Sequence, residues 1–175
     1  MQSASLQIKI ECPSDAPALS LLSANAFGPG RFARSAYRVR EGVPPVEALC
    51  LTAWLDERLI GGIRFTAVTI GEQANALLLG PLVVDPAETG KGYGKALVAE
   101  GLTRAAEEGF SLVLLVGDMP YYGRFGFAPV KSGQMTLPGP VDPGRLLAHE
   151  LEQGALARAN GLVTAIAANA PRATR

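Results

Sequence analysis

The sequence predicts a mixed α/β fold, with a mostly antiparallel central sheet and helices on both of its faces. Short apolar runs separated by glycine- and proline-rich turns indicate several strands. An amphipathic segment lies between two of these runs, so residues 76–117 form a strand–helix–strand unit, which implies one parallel pair of strands and a right-handed crossover. The length of 175 residues and the apolar share of 48% suit one domain with a buried core.

The first half of the chain contains both strands and helices. Residues 6–12 alternate apolar and polar side chains, as a half-buried strand does. Ser14 or Asp15 can cap a helix that runs to about residue 27, and residues 31–41 are predicted to form a second, basic amphipathic helix. A meander of three strands follows, at 48–56, 59–70 and 76–85.

The last strand of this meander contains an irregularity in its middle. Residues 76–85 are apolar on both faces, as in a central strand, but they include Gly80 and Pro81. Because proline cannot donate a hydrogen bond to a neighbouring strand, it belongs at a bulge or at an edge. We therefore predict a bulge at Gly80–Pro81 that splays this fourth strand from one neighbour, and we take it as the first indication of function.

The second half is predicted to begin with an amphipathic helix that ends at Gly109, since glycine suits the residue after a helix C-terminus. A short helix further on has Asp118 as its capping residue. The other elements predicted here are strands at 112–117, 127–136 and 145–151, with the short helix near 120–125. We assign residues 1–156 to a single domain, and residues 157–175 to a C-terminal tail that is disordered or helical.

Composition and charge argue against several classes of protein. The 16 basic and 16 acidic residues balance, whereas nucleic-acid-binding domains usually carry a basic excess. No apolar stretch approaches the roughly 18 residues of a transmembrane helix, and the first residues lack the apolar core of a signal peptide. We therefore expect a cytoplasmic protein without nucleic-acid or membrane partners.

The cysteines and the histidine do not indicate a metal site. Cys12 and Cys50 are interpreted as small buried residues in strands. A single histidine, His149, excludes a two-histidine metal site, so no metal is expected.

A glycine-rich turn between the fourth strand and the following helix predicts an anion site. Its members are Thr89, Gly90, Lys91, Gly92, Tyr93, Gly94 and Lys95. The first N–H groups of a helix lack internal acceptors, the helix dipole makes this end positive, and two lysines add charge, which together suit a pyrophosphate. The P-loop pattern fails because Ala96 follows the Gly-Lys pair, and the Rossmann pattern fails because Leu97 replaces its third glycine.

Two longer segments resemble the GNAT superfamily of N-acetyltransferases, especially a small bacterial branch with a VGD-xx-YYGRFGF signature. The segments are LLLGPLVVDPAETGKGYGKALVAEGL and LVLLVGDMPYYGRFGFAPV, in the order found in the family. Thr89 departs from the pattern, because the family's pyrophosphate loop begins with Gln or Arg. The resemblance implies the acyl-CoA N-acyltransferase fold and acetyl-CoA as co-substrate. It also implies that the backbone of Leu82, Val83 and Val84 binds pantetheine and that residues 89–95 bind the pyrophosphate.

The resemblance further implies a role for Tyr122 as the general acid that protonates the leaving thiolate. A phenol with a pKa of about 10 stays protonated at neutral pH and can donate. The expected acceptor is a primary amine of a small molecule or peptide, which attacks directly in a ternary complex. No general base is evident, although Glu41, Glu47 and Asp118 are candidates.

The acceptor pocket is expected within residues 28–47, where four arginines allow two interpretations. If Arg31, Arg34, Arg38 and Arg40 line the pocket, the acceptor is acidic; if they cover a solvated helix face, which we favour from sequence, they carry no such information. Two other functions stay open, a non-catalytic acyl-CoA-binding or regulatory module and a nucleotide-binding domain that uses the glycine turn. A homodimer fits the family resemblance, but nothing in the sequence indicates an interface.

Overall fold

The computed structural model describes residues 3–27 and 35–167. Nine strands are present in this part of the chain: β1 (Leu6–Ile10), β2 (Leu51–Leu55), β3 (Arg58–Ile70), β4 (Gln73–Val84), β5 (Leu112–Val116), β6 (Ala128–Pro129), β7 (Met135–Thr136), β8 (Leu146–Glu150) and β9 (Gly161–Ala165). The α-helices there are α1 (Ala16–Phe27), α2 (Ser35–Arg40), α3 (Tyr93–Glu107), α4 (Met119–Tyr122) and α5 (Ala155–Arg158), with short 3-10 turns at Pro13–Asp15, Glu47–Leu49, Pro86–Glu88 and Gly123–Phe125. Of the predicted basic helix at 31–41, residues 31–34 lie outside the described residues.

The strands form a mostly antiparallel sheet, as predicted. Its order is β1-β2-β3-β4-β5-β8-β6, and β9 joins it at the end of β3. Along that path only β4 and β5 are parallel. The connection between these two strands runs through α3, which is the strand–helix–strand unit expected from residues 76–117.

A bulge interrupts β4 at the predicted position. β3 and β4 are paired on either side of it, through Ile63–Leu82 and Phe65–Leu79. Between these pairs only Arg64 of β3 faces Gly80 and Pro81 of β4, whose peptide bond is cis. The extra residue on β4 is therefore at the proline, which has no N–H to donate.

Beyond this region β4 separates from β5. The parallel pairing ends at Leu78 and Leu114, although β4 continues to Val84 and β5 to Val116. The carboxyl-terminal half of β4 thus pairs with β3 on one side only. A gap opens on its other side, which confirms the predicted splay of the fourth strand from the fifth.

Glycines in β3 allow a helix to approach each face of the sheet. Successive residues of a strand point to opposite faces. A Cβ at Gly61 would lie 3.5 Å from Leu97 of α3, whereas one at Gly62 would lie 2.6 Å from Leu19 of α1. Helices α3 and α1 therefore cover opposite faces, as predicted. The larger cluster of buried apolar side chains, which includes Phe65, lies on the α3 face.

The C-terminal residues extend the sheet instead of forming a tail. Strand β9 pairs antiparallel with residues 68–70 of β3 and parallel with β7, and its Val163 is only 3% exposed. The predicted tail is therefore wrong for residues 161–165. The signal that was missed is the share of β-branched residues in GLVTAIA, namely Val, Thr and Ile, which favours a strand. Residues 168–175 lie outside the described residues, and the assignment of a single domain stays a prediction.

Two smaller predictions are also corrected. Residues 127–136, expected to be one strand, form the two-residue strands β6 and β7 with a turn between them, because this segment crosses Gly133 in a left-handed conformation (φ 82°). Cys12 is exposed and follows β1, since the strand ends two residues before it, whereas Cys50 is buried as expected.

Candidate functional site

The gap beside β4 exposes backbone hydrogen-bonding groups at two of the three predicted pantetheine residues. The amide of Asp85 donates to Ile60 of β3 at 2.7 Å. Because amides alternate in direction along a strand, Val83 also faces β3, while the amides of Leu82 and Val84 face the gap. An extended chain placed in the gap can therefore pair with these two residues as a neighbouring strand would.

The glycine turn places free amides at the N-terminus of α3. Gly92 is the N-cap of the helix and has a φ of 89°, a left-handed conformation that favours glycine. The first helical hydrogen bond runs from the Ala96 amide to the Gly92 carbonyl at 3.1 Å. The amides of Tyr93, Gly94 and Lys95 precede that bond, so they have no acceptor within the helix. This end of α3 is suited to an anion.

The two lysines of the turn differ in their surroundings. Lys91 forms an ion pair with Glu88 at 2.8 Å, and Glu88 also pairs with Arg58. Lys91 and Arg58 lower the pKa of the Glu88 carboxyl through hydrogen bonds and charge. Lys95, in contrast, is exposed and forms no ion pair with the residues described here. Only Lys95 therefore offers a charge to an anion without first breaking an internal pair.

Tyr122 is half-buried at the start of the gap on the β5 side. It ends α4, and its ring packs edge-on against Tyr121 and Phe127, with centroids at 4.8 and 5.9 Å. Burial raises the pKa of its phenol well above the usual range. The hydroxyl therefore stays protonated across neutral and mildly alkaline pH, as a proton donor must.

A cavity of about 900 Å³ connects the gap with α1 and α2. Its wall includes both sides of the gap, at residues 79–83 of β4 and at residues 115–117 at the end of β5, together with Tyr122. Helix α1 contributes Leu19 and two serines, and α2 contributes residues 35–37 and Arg40. The cavity is therefore large enough for a small molecule, and it reaches the place where β4 and β5 separate.

The residues predicted for the acceptor pocket are only partly brought together. Arg40 lines the cavity, while Arg38, on the same helix, is exposed and does not belong to its wall. Arg31 and Arg34 lie outside the described residues. Glu41 and Glu47, proposed as general bases, are exposed and do not belong to the wall either.

The role expected for Asp118 as a helix cap is wrong in one respect. Asp118 occupies the N-cap position of α4, but its side chain makes no capping hydrogen bond. Instead its carboxylate pairs with Arg145 at 3.3 Å, because the side chain turns outward, where it is 75% exposed. Asp118 does line the cavity, so its role as a base stays a prediction.

Sequence analysis overlooked a charged pair on the cavity wall. Arg64 of β3, opposite the bulge, binds the carboxylate of Glu11 through two hydrogen bonds, one of 3.0 Å from its Nε. Glu11 is only 10% exposed, and this pairing raises the pKa of Arg64. A charged residue within the apolar sequence LIGGIRFTAVTI was the available signal, since such a residue in a central strand must face a polar site or a partner.

The described ranges contain neither a membrane-spanning helix nor a metal-binding cluster. In residues 3–27 and 35–167, no helix is both long and apolar enough to cross a bilayer. No group of three His, Cys, Asp or Glu side chains in the same ranges is placed to hold a metal ion.

The chain matches a family model over most of the site. Residues 20–127 match the model described as the acetyltransferase (GNAT) family. This range contains β4 with its bulge, the glycine turn and Tyr122. The chain belongs to the GNAT family of acetyltransferases.

Curated relatives and solved structures agree with this assignment. The uncharacterized N-acetyltransferase YhbS of Escherichia coli strain K12 is 32% identical over 158 residues, which cover 89% of this chain and 93% of YhbS. The crystal structure of YhbS from Escherichia coli in complex with CoA superimposes with a TM-score of 0.80 and 28% identity, over 95% of this chain and 92% of that chain. A GNAT acetyltransferase from Brucella melitensis in complex with acetyl-CoA has a TM-score of 0.58 and 28% identity, and the match covers 84% of this chain and 97% of that chain.

These relatives support the acyl-CoA N-acyltransferase fold and the assignment as an N-acetyltransferase. The splayed fourth strand, which the family resemblance implied, is present in this chain.

Proposed function

We propose that this GNAT enzyme transfers the acetyl group of acetyl-CoA to a primary amine bound in the cavity between α1, α2 and the bulge of β4. The observation that carries the proposal is the gap at β4, where unpaired amides, a protonated phenol and a cavity for a second substrate meet. Acceptor and thioester can then be held together in one ternary complex, which avoids the entropy loss of a bimolecular encounter during the reaction.

The cofactor site uses the backbone of β4 and the N-terminus of α3. The amides of Leu82 and Val84 pair with the pantetheine arm, and Val83 supports them through its pairing with β3. The pyrophosphate binds at the turn formed by residues 89–95, with the amides of Tyr93, Gly94 and Lys95 and the Lys95 ammonium as its main partners. Thr89, Gly90, Lys91 and Gly92 shape this turn.

The chemical step is an acyl transfer with balanced proton movements. The unprotonated amine nitrogen attacks the thioester carbonyl carbon, the new C–N bond forms and the C–S bond breaks. The amide of Leu82, which faces the gap, stabilises the negative charge that develops on the carbonyl oxygen. Tyr122 donates its proton to the departing thiolate and regains one from solvent, while the proton lost by the attacking nitrogen passes to solvent or to a carboxylate on the cavity wall.

Calorimetry with CoA and with ATP, followed by an assay of thiol release from acetyl-CoA with a panel of amines, tests this function. We expect CoA to bind, ATP to bind weakly, and thiol release to be accompanied by acetylation of the amine, detected by mass. Tight binding of ATP without binding of CoA would overturn the assignment of the cofactor. Binding of CoA without thiol release from any amine would favour the non-catalytic acyl-CoA-binding module instead.

The broader expectations about partners depend on separate measurements. The predicted absence of nucleic-acid and membrane partners, the cytoplasmic location and a homodimer stay predictions. The proposal requires no metal ion, because the charges that develop in the reaction are assigned to backbone amides and to a phenol.

A further inference from the structure

Arg40 is a cation on the cavity wall that has no anionic partner among the described residues. It is the last residue of α2, and a Cβ at Gly80 would lie 3.3 Å from its Nη1 atom, so the guanidinium lies against the bulge. Its side chain also lies over the ring of Tyr37, with 5.5 Å between the guanidinium carbon and the ring centroid. Within residues 3–27 and 35–167, no carboxylate forms an ion pair with it.

The other arginines on this wall are neutralised by carboxylates. Arg64, which faces the same bulge, is held by Glu11, and Arg145 pairs with Asp118. Asp142, also on the wall, accepts a hydrogen bond from the amide of Gly144 at 2.9 Å and forms no ion pair with a described residue. The charge of Arg40 is therefore the one next to the bulge that these internal pairs leave without a counterion.

Burial makes this unpaired charge unfavourable in the free enzyme. Desolvation lowers the pKa of the Arg40 guanidinium to about 10, and the positive charge of Arg64 acts in the same direction. A cation removed from water is stabilised when an anion with matching hydrogen-bond geometry binds to it. A guanidinium presents two parallel N–H donors, the arrangement that a carboxylate accepts best.

We propose that Arg40 binds a carboxylate of the acceptor, so that the substrate is an amino acid or another small amine that carries a carboxylate. This inference rests on the proposed acetyl transfer and names its substrate class. One unneutralised cation matches a single negative charge, whereas a phosphate group would bring a second charge without a partner. Because the guanidinium lies against the bulge, the carboxylate bound there is close to the amine that attacks at the gap.

The test compares pairs of acceptors that differ only in the carboxylate, with Arg40→Met, Arg40→Lys and Arg38→Met as variants. Thiol release from acetyl-CoA is measured with a set of amino acids and with their uncharged carboxamides and their aminophosphonate analogues. In the wild type we expect higher kcat/KM for the amino acids than for either analogue. Arg40→Met should reduce kcat/KM for the amino acids by about 100-fold, mainly through KM, because one partner of a desolvated charge pair is lost. The carboxamides should be nearly unaffected.

The controls separate this role from a general loss of structure. Arg38→Met, on the exposed side of the same helix, should behave as wild type, and Arg40→Lys should recover part of the preference for the carboxylate. Equal losses with amino acids and carboxamides in Arg40→Met would overturn the proposal and indicate that Arg40 acts on the thioester. The proposal would also be overturned if the wild type had a higher kcat/KM for aminophosphonates, or equal kcat/KM values for amino acids, carboxamides and aminophosphonates.

A binding measurement keeps the inference separate from the proposed function. N-acetylated amino acids, the expected products, are titrated into the enzyme–CoA complex by calorimetry. We expect binding that Arg40→Met abolishes while the affinity for CoA stays unchanged. Equal binding to wild type and Arg40→Met would contradict the inference even if turnover is found, and binding lost in Arg40→Met would support it even if the amine panel shows no turnover.

Discussion

Tyr122 acts through one hydroxyl proton, so removing that hydroxyl tests its role directly. Tyr122→Phe keeps the ring that packs against Tyr121 and Phe127. We expect kcat to fall by about 10²- to 10⁴-fold, the usual contribution of a general acid, while the dissociation constant for CoA stays unchanged. Steady-state thiol release and calorimetry with CoA measure the two quantities.

Tyr121→Phe is the matched control for this prediction. Tyr121 lies on the same short helix but outside the wall of the large cavity, and its hydroxyl lies against α3, 2.5 Å from where a Cβ at Gly94 would stand. Its removal should leave kcat close to that of the wild type. Equal turnover in Tyr122→Phe and wild type would show that another group, or water, protonates the thiolate.

Burial of Cys50 predicts that the protein loses stability in alkali. Burial raises the pKa of this thiol from 9.0 to about 11. Below pH 9 the thiol is neutral in the folded and unfolded chains alike. Between pH 9 and 11 only the unfolded chain ionises, so the free energy of unfolding falls by at most about 2.7 kcal/mol from this group.

Urea unfolding of the wild type and of Cys50→Ala between pH 8 and 11 measures this effect. The variant loses the buried sulfur, and with it a contact of 3.3 Å to the Val46 carbonyl, so it should be less stable at pH 8. Its stability should fall less steeply with pH, and the two curves should converge towards pH 11. Parallel curves would mean that Cys50 does not contribute, and that another buried group such as Tyr122, whose pKa is also raised, causes the fall.

Single residues also mark the limit of what the sequence could predict. The bulge was predictable from Gly80–Pro81, because proline lacks an N–H to pair with a neighbouring strand whatever the rest of the fold is. The pair of Arg64 with Glu11 was not predictable, since it joins residues 53 positions apart. The lack of a carboxylate partner for Arg40 among the described residues was not predictable either, since it depends on which side chains lie near it in space. His149 shares the strand face of Leu147, as the two-residue period of a strand predicts, and its ring packs against Phe127 with centroids 5.4 Å apart.

At the scale of the glycine turn, the two lysines should contribute unequally to CoA binding. Lys91 is already paired with Glu88, so its loss also frees a carboxylate, whereas Lys95 opposes the helix dipole until an anion binds. We expect Lys95→Ala to weaken CoA binding by about tenfold at low salt, and Lys91→Ala to weaken it less.

Calorimetry with CoA at two salt concentrations checks this order. The difference between wild type and Lys95→Ala should shrink at high salt, because ions screen an exposed charge. Glu88→Gln serves as the complementary variant: it removes the negative charge beside the turn and frees Lys91, so CoA should bind more tightly. A larger loss in Lys91→Ala than in Lys95→Ala would show that the ion pair with Glu88 opens when the cofactor binds.

Elements with a strong local pattern were predicted well. The strands of the meander and α3 lie within a few residues of their predicted bounds, since apolar periodicity and flanking glycines define both. Elements that form only through pairing with distant strands were predicted less well. Strands β6 and β7 have two residues each, and their form depends on β8 and β9, which no local pattern in residues 127–136 encodes.

At the scale of the whole molecule, the sheet is organised around strand β3. Strand β3 is the central member, because it pairs with β2, with β4 and, at its end, with β9. Its glycines admit α1 and α3 on opposite faces, and its Arg64 faces the bulge. The bulged strand β4 and helices α1 and α3 all pack on β3, so a disturbance of β3 at either end should affect both stability and cofactor binding.

Removal of β9 should therefore destabilise the enzyme, whereas removal of an unpaired tail would not. A chain that ends after residue 158 loses three paired positions on β3, two hydrogen bonds at the ends of that pairing (Gly71 to Leu162 and Ile166 to Ala67, both 2.9 Å) and the buried side chain of Val163. Burial of a valine and several net hydrogen bonds together amount to about 3 to 6 kcal/mol. Since whole domains are stable by only about 5 to 15 kcal/mol, this variant should unfold at a much lower urea concentration, and its affinity for CoA should fall as well.

A chain that ends after residue 167 is the control, because it keeps all of these pairings. Equal urea midpoints for the two truncations would show that the rest of the sheet holds β3 in place without β9.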